Sequence, residues 1–248
     1  MSFISYAQNF EDVMLWRALN HIESGFYIDV GANDPVIDSV TKAFYDKGWT
    51  GINIEPLERH IAELKIDRPK DINLQVGASN IKGQANIVIP QIRGWASLNE
   101  NLIEKYQQAD SSAQLLSIPI ITLSEIIQEY ASNREIHFLK IDVEGHEKEV
   151  IEGVDFEKYR PWILIIESTM PNSQIENHSQ WIDKILLHGY EMVYFDGLNR
   201  FFCAIEHNYL KQCFSTPPNV FDSFIRFQEH SAIEKMNQIK KILNEQNG

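Results

Sequence analysis

Phe26-Tyr27-Ile28-Asp29-Val30-Gly31-Ala32-Asn33 is a short apolar run that stops at a glycine, and it reads as a β-strand delivered into a tight turn. The neighbouring segments repeat the theme. Ser39 to Trp49 sets Val40, Ala43, Phe44 and Tyr45 at helical spacing, with Gly48 near its end. Gly51 to Pro56 is a second strand stopped by proline. Leu57 to Ile66 is helical, with Leu57, Ile61 and Leu64 on one face, and Ile72 to Ala78 gives a third strand. Strand alternating with helix predicts an α/β fold, a parallel sheet covered by helices on both faces.

The rhythm then breaks. Gln84 to Pro90 is β-like, Ile92 to Gln114 is polar and irregular, and Thr122 to Tyr130 is a helix. Ile136 to Val143 is the strongest strand of the chain. A helix at His146 to Glu157 leads to a strand at Trp162 to Glu167. After a helix at Gln180 to His188, Tyr190 to Ala204 reads as two strands joined at Asp196 to Arg200, so the final strand is antiparallel. Ser231 to Leu243 is a polar helix with a weak apolar stripe of Ile233, Met236, Ile239, Ile242 and Leu243, which packs on a second copy in a homo-oligomer or frays.

In an open parallel sheet, ligands bind beyond the carboxyl ends of the strands. Gly31 allows a backbone to approach a ligand that a Cβ would hold off, and the helix after it is expected to offer its N-terminal amides to the same space. Glu55 ends the second strand, 24 residues after Gly31, where a carboxylate accepts both hydroxyls of a ribose. A pyrophosphate would demand more glycines than Gly31. An adenosine without phosphate fits better, and S-adenosylmethionine is such a ligand.

Asp142-Val143-Glu144-Gly145-His146-Glu147 brings carboxylates and an imidazole to the same edge. Asp142 and Glu144 project to one side if the strand continues. His146 or Asp142 is placed to deprotonate a hydroxyl, with Glu144 beside them. Alternatively Asp142, Glu144 and His146, with Glu167 from the next strand, hold magnesium or manganese. Glu147 reads as the acidic first turn of a helix. Glu167 comes after five apolar residues, and a charge there must be paired or functional.

Composition narrows the classes. Of 248 residues, 35 are acidic and 22 basic, a formal charge of -13 that argues against nucleic-acid partners. Cys203 and Cys213 make neither a disulfide framework nor a zinc signature. No leader pattern and no membrane-length apolar run are present, so the chain reads as cytoplasmic.

With these residues in view, the chain resembles the FkbM family, a branch of the class I, Rossmann-like methyltransferases. The resemblance is carried by Ser5 to Asp12, Phe26 to Asn33, Asn53 to Pro56, Trp95 to Leu98 and Leu139 to Glu147, in that order. It implies a seven-stranded, mostly parallel sheet with an antiparallel final strand, in a methyltransferase domain over 1–210 whose first 25 residues cover the cofactor; 211–248 would be a helical extension. S-adenosylmethionine would lie against Asp29, Gly31, Asn33 and Glu55, with Gly77, Ala78 and Ser79 flanking the adenine. Asp142 would sit at the methionine end, and Tyr6 and Gln8 would close over it. Pro35 stands where the family commonly has a second glycine, so the loop must turn differently here. Family members commonly methylate hydroxyls of sugars and polyketides, many in surface-polysaccharide pathways. A nucleotide-linked sugar against Trp95 and Tyr106 is the expected acceptor. The alternatives are a nicotinamide-dependent nucleotide-sugar oxidoreductase or epimerase, and a non-catalytic binding module of the same fold.

Overall fold

The computed structural model describes residues 3–91, 94–99, 102–103, 106, 112–171 and 173–246. The remainder of the irregular stretch 92–114 therefore lies outside the described residues. In chain order the strands are β1 (Phe3–Ser5), β2 (Phe26–Val30), β3 (Thr50–Ile54), β4 (Ile72–Leu74), β5 (Gly77–Ser79) and β6 (Gly83–Ile89). They continue with β7 (Gln114–Thr122), β8 (Phe138–Ile141), β9 (Ile163–Glu167), β10 (Tyr190–Phe195), β11 (Asn199–Ala204) and β12 (Phe224–Arg226).

Seven strands form one sheet in the order β10-β11-β9-β8-β2-β3-β4. The ladders from β9 to β4 are parallel, while β11 is antiparallel to both β9 and β10. The sheet is thus mixed rather than mostly parallel. The turn between β10 and β11 sets this: Asp196 Oδ1 accepts the backbone N–H of Leu198 and Asn199 at 2.8 and 2.6 Å and folds β11 back beside β9.

The central strands are apolar on both faces because both faces are covered. Ile28, Val30, Leu139, Ile141, Leu164 and Ile166 pack against Ile126 and Ile127 of the helix Leu123–Tyr130 and Val150 and Ile151 of the helix Glu147–Glu152. The alternate residues Tyr27, Phe138, Ile163 and Ile165 meet Met14, Leu15, Phe44 and Trp49 on the other side.

Ile72 to Ala78 is not one strand. β4 ends at Leu74, and β5 leaves for a separate three-stranded sheet, parallel to β7, whose other edge is antiparallel β6. The helix expected from Ser39 begins only at Lys42 and ends at Asp46, so residues 31–41 form a long loop and that helix does not start directly after Gly31. Residues beyond 210 are stitched to the start of the chain: β12 pairs parallel with β1. Arg17, in the helix Glu11–Leu19, donates to both carboxylate oxygens of Asp222 at 2.7 Å and to the carbonyls of Cys213, Thr216 and Pro217. The last helix, Phe227–Gln246, leaves Ile233, Met236, Ile239 and Ile242 about half exposed. Among the described residues, no helix is long and apolar enough to cross a membrane.

Candidate functional site

Register builds the site. Ile54, Val30, Ile141 and Ile166 are neighbours across β3, β2, β8 and β9. The next residue on each strand is Glu55, Gly31, Asp142 and Glu167, and Asn199 of β11 pairs with Glu167. These five form a row along the carboxyl edge of the sheet, roughly 19 Å long at about 4.8 Å per strand. Two residues back along each strand, Asn53, Asp29 and Lys140 stand side by side, with Ile165 next in line. A cavity of about 280 Å³ opens over this edge.

Gly31 is held there by geometry. Its φ is +79°, and a Cβ would lie 1.8 Å from the carbonyl oxygen of Asp142. Asn33 also adopts a left-handed φ of 47° and donates its N–H to Glu55 Oε2 at 3.1 Å. Glu55 Oε1 accepts the N–H of Leu57 at 2.8 Å. The Glu55 carboxylate, 5% exposed, is therefore fixed by two backbone donors and retains lone pairs toward the cavity.

Lys140 ties the floor together. Its Nζ donates to the Gly31 carbonyl at 3.0 Å and lies 3.3 Å from both Asp29 Oδ1 and Asp142 Oδ2. Burial alone would lower its pKa, but Asp142 and Asp29 outweigh that and raise it above the usual lysine range. Asp29 Oδ2 accepts from Thr41 Oγ1 at 2.7 Å, and Thr41 Oγ1 accepts from the wholly buried Arg68. Arg68 also donates to the Pro35 carbonyl and Ser39 Oγ at 2.6 and 2.5 Å, which is how this proline-bearing loop is turned without a second glycine.

The segment after Asp142 is shaped from below and above. Glu144 and Gly145 adopt φ of 54° and 92°. Beneath, the buried Glu147 stands in the first turn of the helix Glu147–Glu152, as expected, and also clamps the loop, its Oε1 accepting the N–H of Val143 and Gly145. Above, Ser97 Oγ and Asn99 Nδ2 each donate at 2.7 Å to the carbonyls of Glu144 and Gly145. Burial, with Asp142 and Glu147 close by, pushes Glu144 up to about 8. Burial holds Glu167 well above the ordinary carboxylate range, with Asp142, Glu147 and Glu144 adding to it.

Of the residues singled out in the sequence, Gln8, Asp29, Gly31, Asn33, Glu55, Gly77, Ala78, Asp142, Glu144 and Trp95 line the cavity. Gly77 and Ala78 meet an apolar wall of Leu57, Ile87, Ala96 and Leu98 there. Tyr6, Ser79, His146 and Glu167 do not line it. The Tyr6 hydroxyl donates to Asp46, and its ring stacks on Phe227. His146 Nε2 sits 3.1 Å from Ser79 Oγ and its Nδ1 3.4 Å from Glu149, while burial lowers its pKa. Tyr106 stacks on Trp95 with ring centroids 6.5 Å apart. Among the described residues, Asp142, Glu144 and Glu167 included, no group of three or more His, Cys, Asp or Glu is arranged to hold a metal ion.

The sequence pattern assigned no role to Lys140, Arg68, Glu11 or Asn199. Lys140 did carry a signal, a charge inside the apolar run of β8, the same argument that marked Glu167. Glu11 and Asn199 carried none; they come to the cavity through tertiary packing, with Asn199 Nδ2 donating to Glu11 Oε1 at 2.9 Å.

A family model for the methyltransferase FkbM domain matches residues 29–192, more than half of the chain. No curated protein matches it.

Proposed function

Because the chain belongs to the FkbM methyltransferase family, we propose that it binds S-adenosylmethionine over Gly31 and methylates a hydroxyl oxygen of a sugar. The observation that carries this reading is the shared cavity of Glu55, Gly31 and Asp142, three neighbours on one sheet edge. The sheet order, with β11 reversed between β9 and β10, supports the class I, Rossmann-like reading.

The residues present fit the cofactor. Gly31 lines the cavity at a turn packed so closely on the Asp142 carbonyl that only a glycine fits, Glu55 offers an oriented carboxylate to a ribose diol, and Leu57, Ile87, Ala96 and Leu98 give an apolar wall suited to an adenine. When bound, S-adenosylmethionine supplies a methyl group already activated on a sulfonium.

The chain's own task is then alignment and proton removal. Alignment contributes roughly 7–11 kcal/mol to such reactions, and a general base about 10²–10⁴-fold in rate. Asp142, at the middle of the row and oriented by Lys140, takes the hydroxyl proton. Glu144, largely protonated at neutral pH, donates a hydrogen bond within the same cavity. His146 supports Ser79 and β5 from outside it.

Isothermal titration calorimetry tests the reading. The chain should bind S-adenosylmethionine, and Glu55→Ala should weaken binding at least tenfold. Equal affinity in the variant, or no binding by the parent chain, overturns the assignment.

A further inference from the structure

The loop that begins at Gly31 is tied down at both ends. Residues 31–34 and 37–40 line the cavity. At the start of the loop, Lys140 Nζ holds the Gly31 carbonyl at 3.0 Å. At its far end, Arg68, the first residue past the helix Glu58–Asp67, holds the Pro35 carbonyl and Ser39 Oγ and reaches Thr41 Oγ1 at 2.5 Å. Neither Arg68 nor Thr41 lines the cavity.

The two ties are joined by an unbroken chain of polar groups. Thr41 Oγ1 donates to Asp29 Oδ2 at 2.7 Å, and Asp29 Oδ1 lies 3.3 Å from Lys140 Nζ. Lys140 Nζ in turn lies 3.3 Å from Asp142 Oδ2. Arg68, Thr41, Asp29 and Lys140 are all buried, and in such surroundings a change at one member is felt by the next. Local roles do not account for the two outer members. Thr41 precedes the helix Lys42–Asp46, yet its hydroxyl makes no capping bond. Asp67 lies 3.8 Å from Arg68 Nε but is held closer, at 3.0 Å, by Lys42. The path from Arg68 through Asn53 to Asp71 opens with a 3.5 Å step, and Asp71 is already engaged by Tyr27 and Gly51. A buried guanidinium needs a carboxylate to answer it, and the tightest path leads through Thr41 to Asp29.

Resting on the methyltransferase reading, we infer that Arg68 and Thr41 are positioning residues: through Asp29 they fix how Lys140 is shared between Asp29, Asp142 and the Gly31 carbonyl. They thereby hold in place both the turn beneath the cofactor and the carboxylate that takes the hydroxyl proton. Without the Thr41 hydroxyl, a buried oxygen of Asp29 loses its donor, and Asp29 draws the Lys140 ammonium away from Asp142. Among the described residues, the other ionisable groups facing Asp142 are Glu144 and Glu147 on its own loop and Glu167 on β9, all carboxyls. A withdrawn ammonium leaves Asp142 among acids, where the charged form is disfavoured.

The test follows the carboxyls directly, by carbon-13 NMR of the full chain labelled at aspartate Cγ, with Asp142 assigned by the signal lost in Asp142→Asn. Thr41→Val keeps the side-chain shape and removes the hydroxyl. In that variant Asp142 should titrate about half a pH unit higher than in the parent chain, and the calorimetric Kd for S-adenosylmethionine should rise about fivefold. Thr41→Ser, which restores the hydroxyl, should return both to the parent values. Arg68→Lys, which keeps the charge but loses the planar fork, should act in the same direction as Thr41→Val. An Asp142 titration unmoved in Thr41→Val, even at a lower melting temperature, shows that Thr41 only packs and overturns the inference. So does a shift that Thr41→Ser fails to reverse. A parent chain that does not bind S-adenosylmethionine overturns the reading beneath, and the titration alone then decides whether Arg68 and Thr41 govern Asp142.

Discussion

At the scale of single residues, the site depends on two groups held in unusual states. Gly31 pairs a positive φ with a backbone contact that no side chain tolerates, so Gly31→Ala combines left-handed strain of about 1–3 kcal/mol with displacement of the Asp142 carbonyl. The expected outcome is a lower melting temperature together with loss of calorimetric S-adenosylmethionine binding; a variant with normal affinity would show that the turn is merely structural. Glu144 is the second. With its pKa near 8, it donates a hydrogen bond below that pH and loses its proton above it, so kcat/KM for the acceptor should fall as pH rises through about 8. Glu144→Gln, which cannot ionise, should remove that descending limb while keeping turnover at neutral pH. A limb that persists in the variant assigns it elsewhere.

At the scale of elements, local pattern explains what was legible. β2, β3, β8 and β9 announce themselves because burial on both faces makes them continuous apolar runs, and the Leu123–Tyr130 helix carries its own capping box, Thr122 with Glu125. The features that escaped were non-local. Ile72 to Ala78 is one apolar stretch in sequence, but Val76 separates residues that serve two sheets. β1 and β12 are three residues each and exist only because they find each other. Arg17 pins the segment before β12 with donations to Asp222, Cys213, Thr216 and Pro217. Charged hydrogen bonds of this kind are worth about 1.5–3 kcal/mol. Arg17→Ala should therefore lower the melting temperature by roughly 5–10 °C and expose residues 205–226 to limited proteolysis. An unchanged digestion pattern would show that the seam is held by other contacts. The candidate site divides in the same way: Gly31, Glu55 and Asp142 end strands and could be read, whereas Glu11 and Asn199 need the fold to meet.

At the scale of the whole molecule, the buried acids set a pH dependence. Glu11 and Glu144 titrate near 8 and Glu147 near 7 in the folded chain, raised chiefly by burial from an ordinary 4.5. The folded state therefore binds more protons than the unfolded one, and stability falls as pH rises through these values, by up to about 1.4 kcal/mol per pH unit for each group. His137, His146, His178 and His207 have lowered values, which oppose this only near and below their ordinary 6.5. Between pH 7 and 8.5 the acids dominate, and a net charge of -13 adds self-repulsion. Thermal unfolding should occur at a lower temperature at pH 8.5 than at pH 7, with Glu11→Gln flattening the slope; a rising trend would show that these carboxyls are ionised in the fold. The β1–β12 seam has a consequence for biosynthesis. At about 5–20 residues per second on the ribosome, Gln8 and Glu11 emerge long before their restraint does, because the strand that clasps β1 is 224–226. The end of the cavity lined by Gln8 and Glu11 is thus clasped only after residue 226 has been translated and released, and a nascent chain already carrying Gly31, Glu55 and Asp142 would still lack that wall.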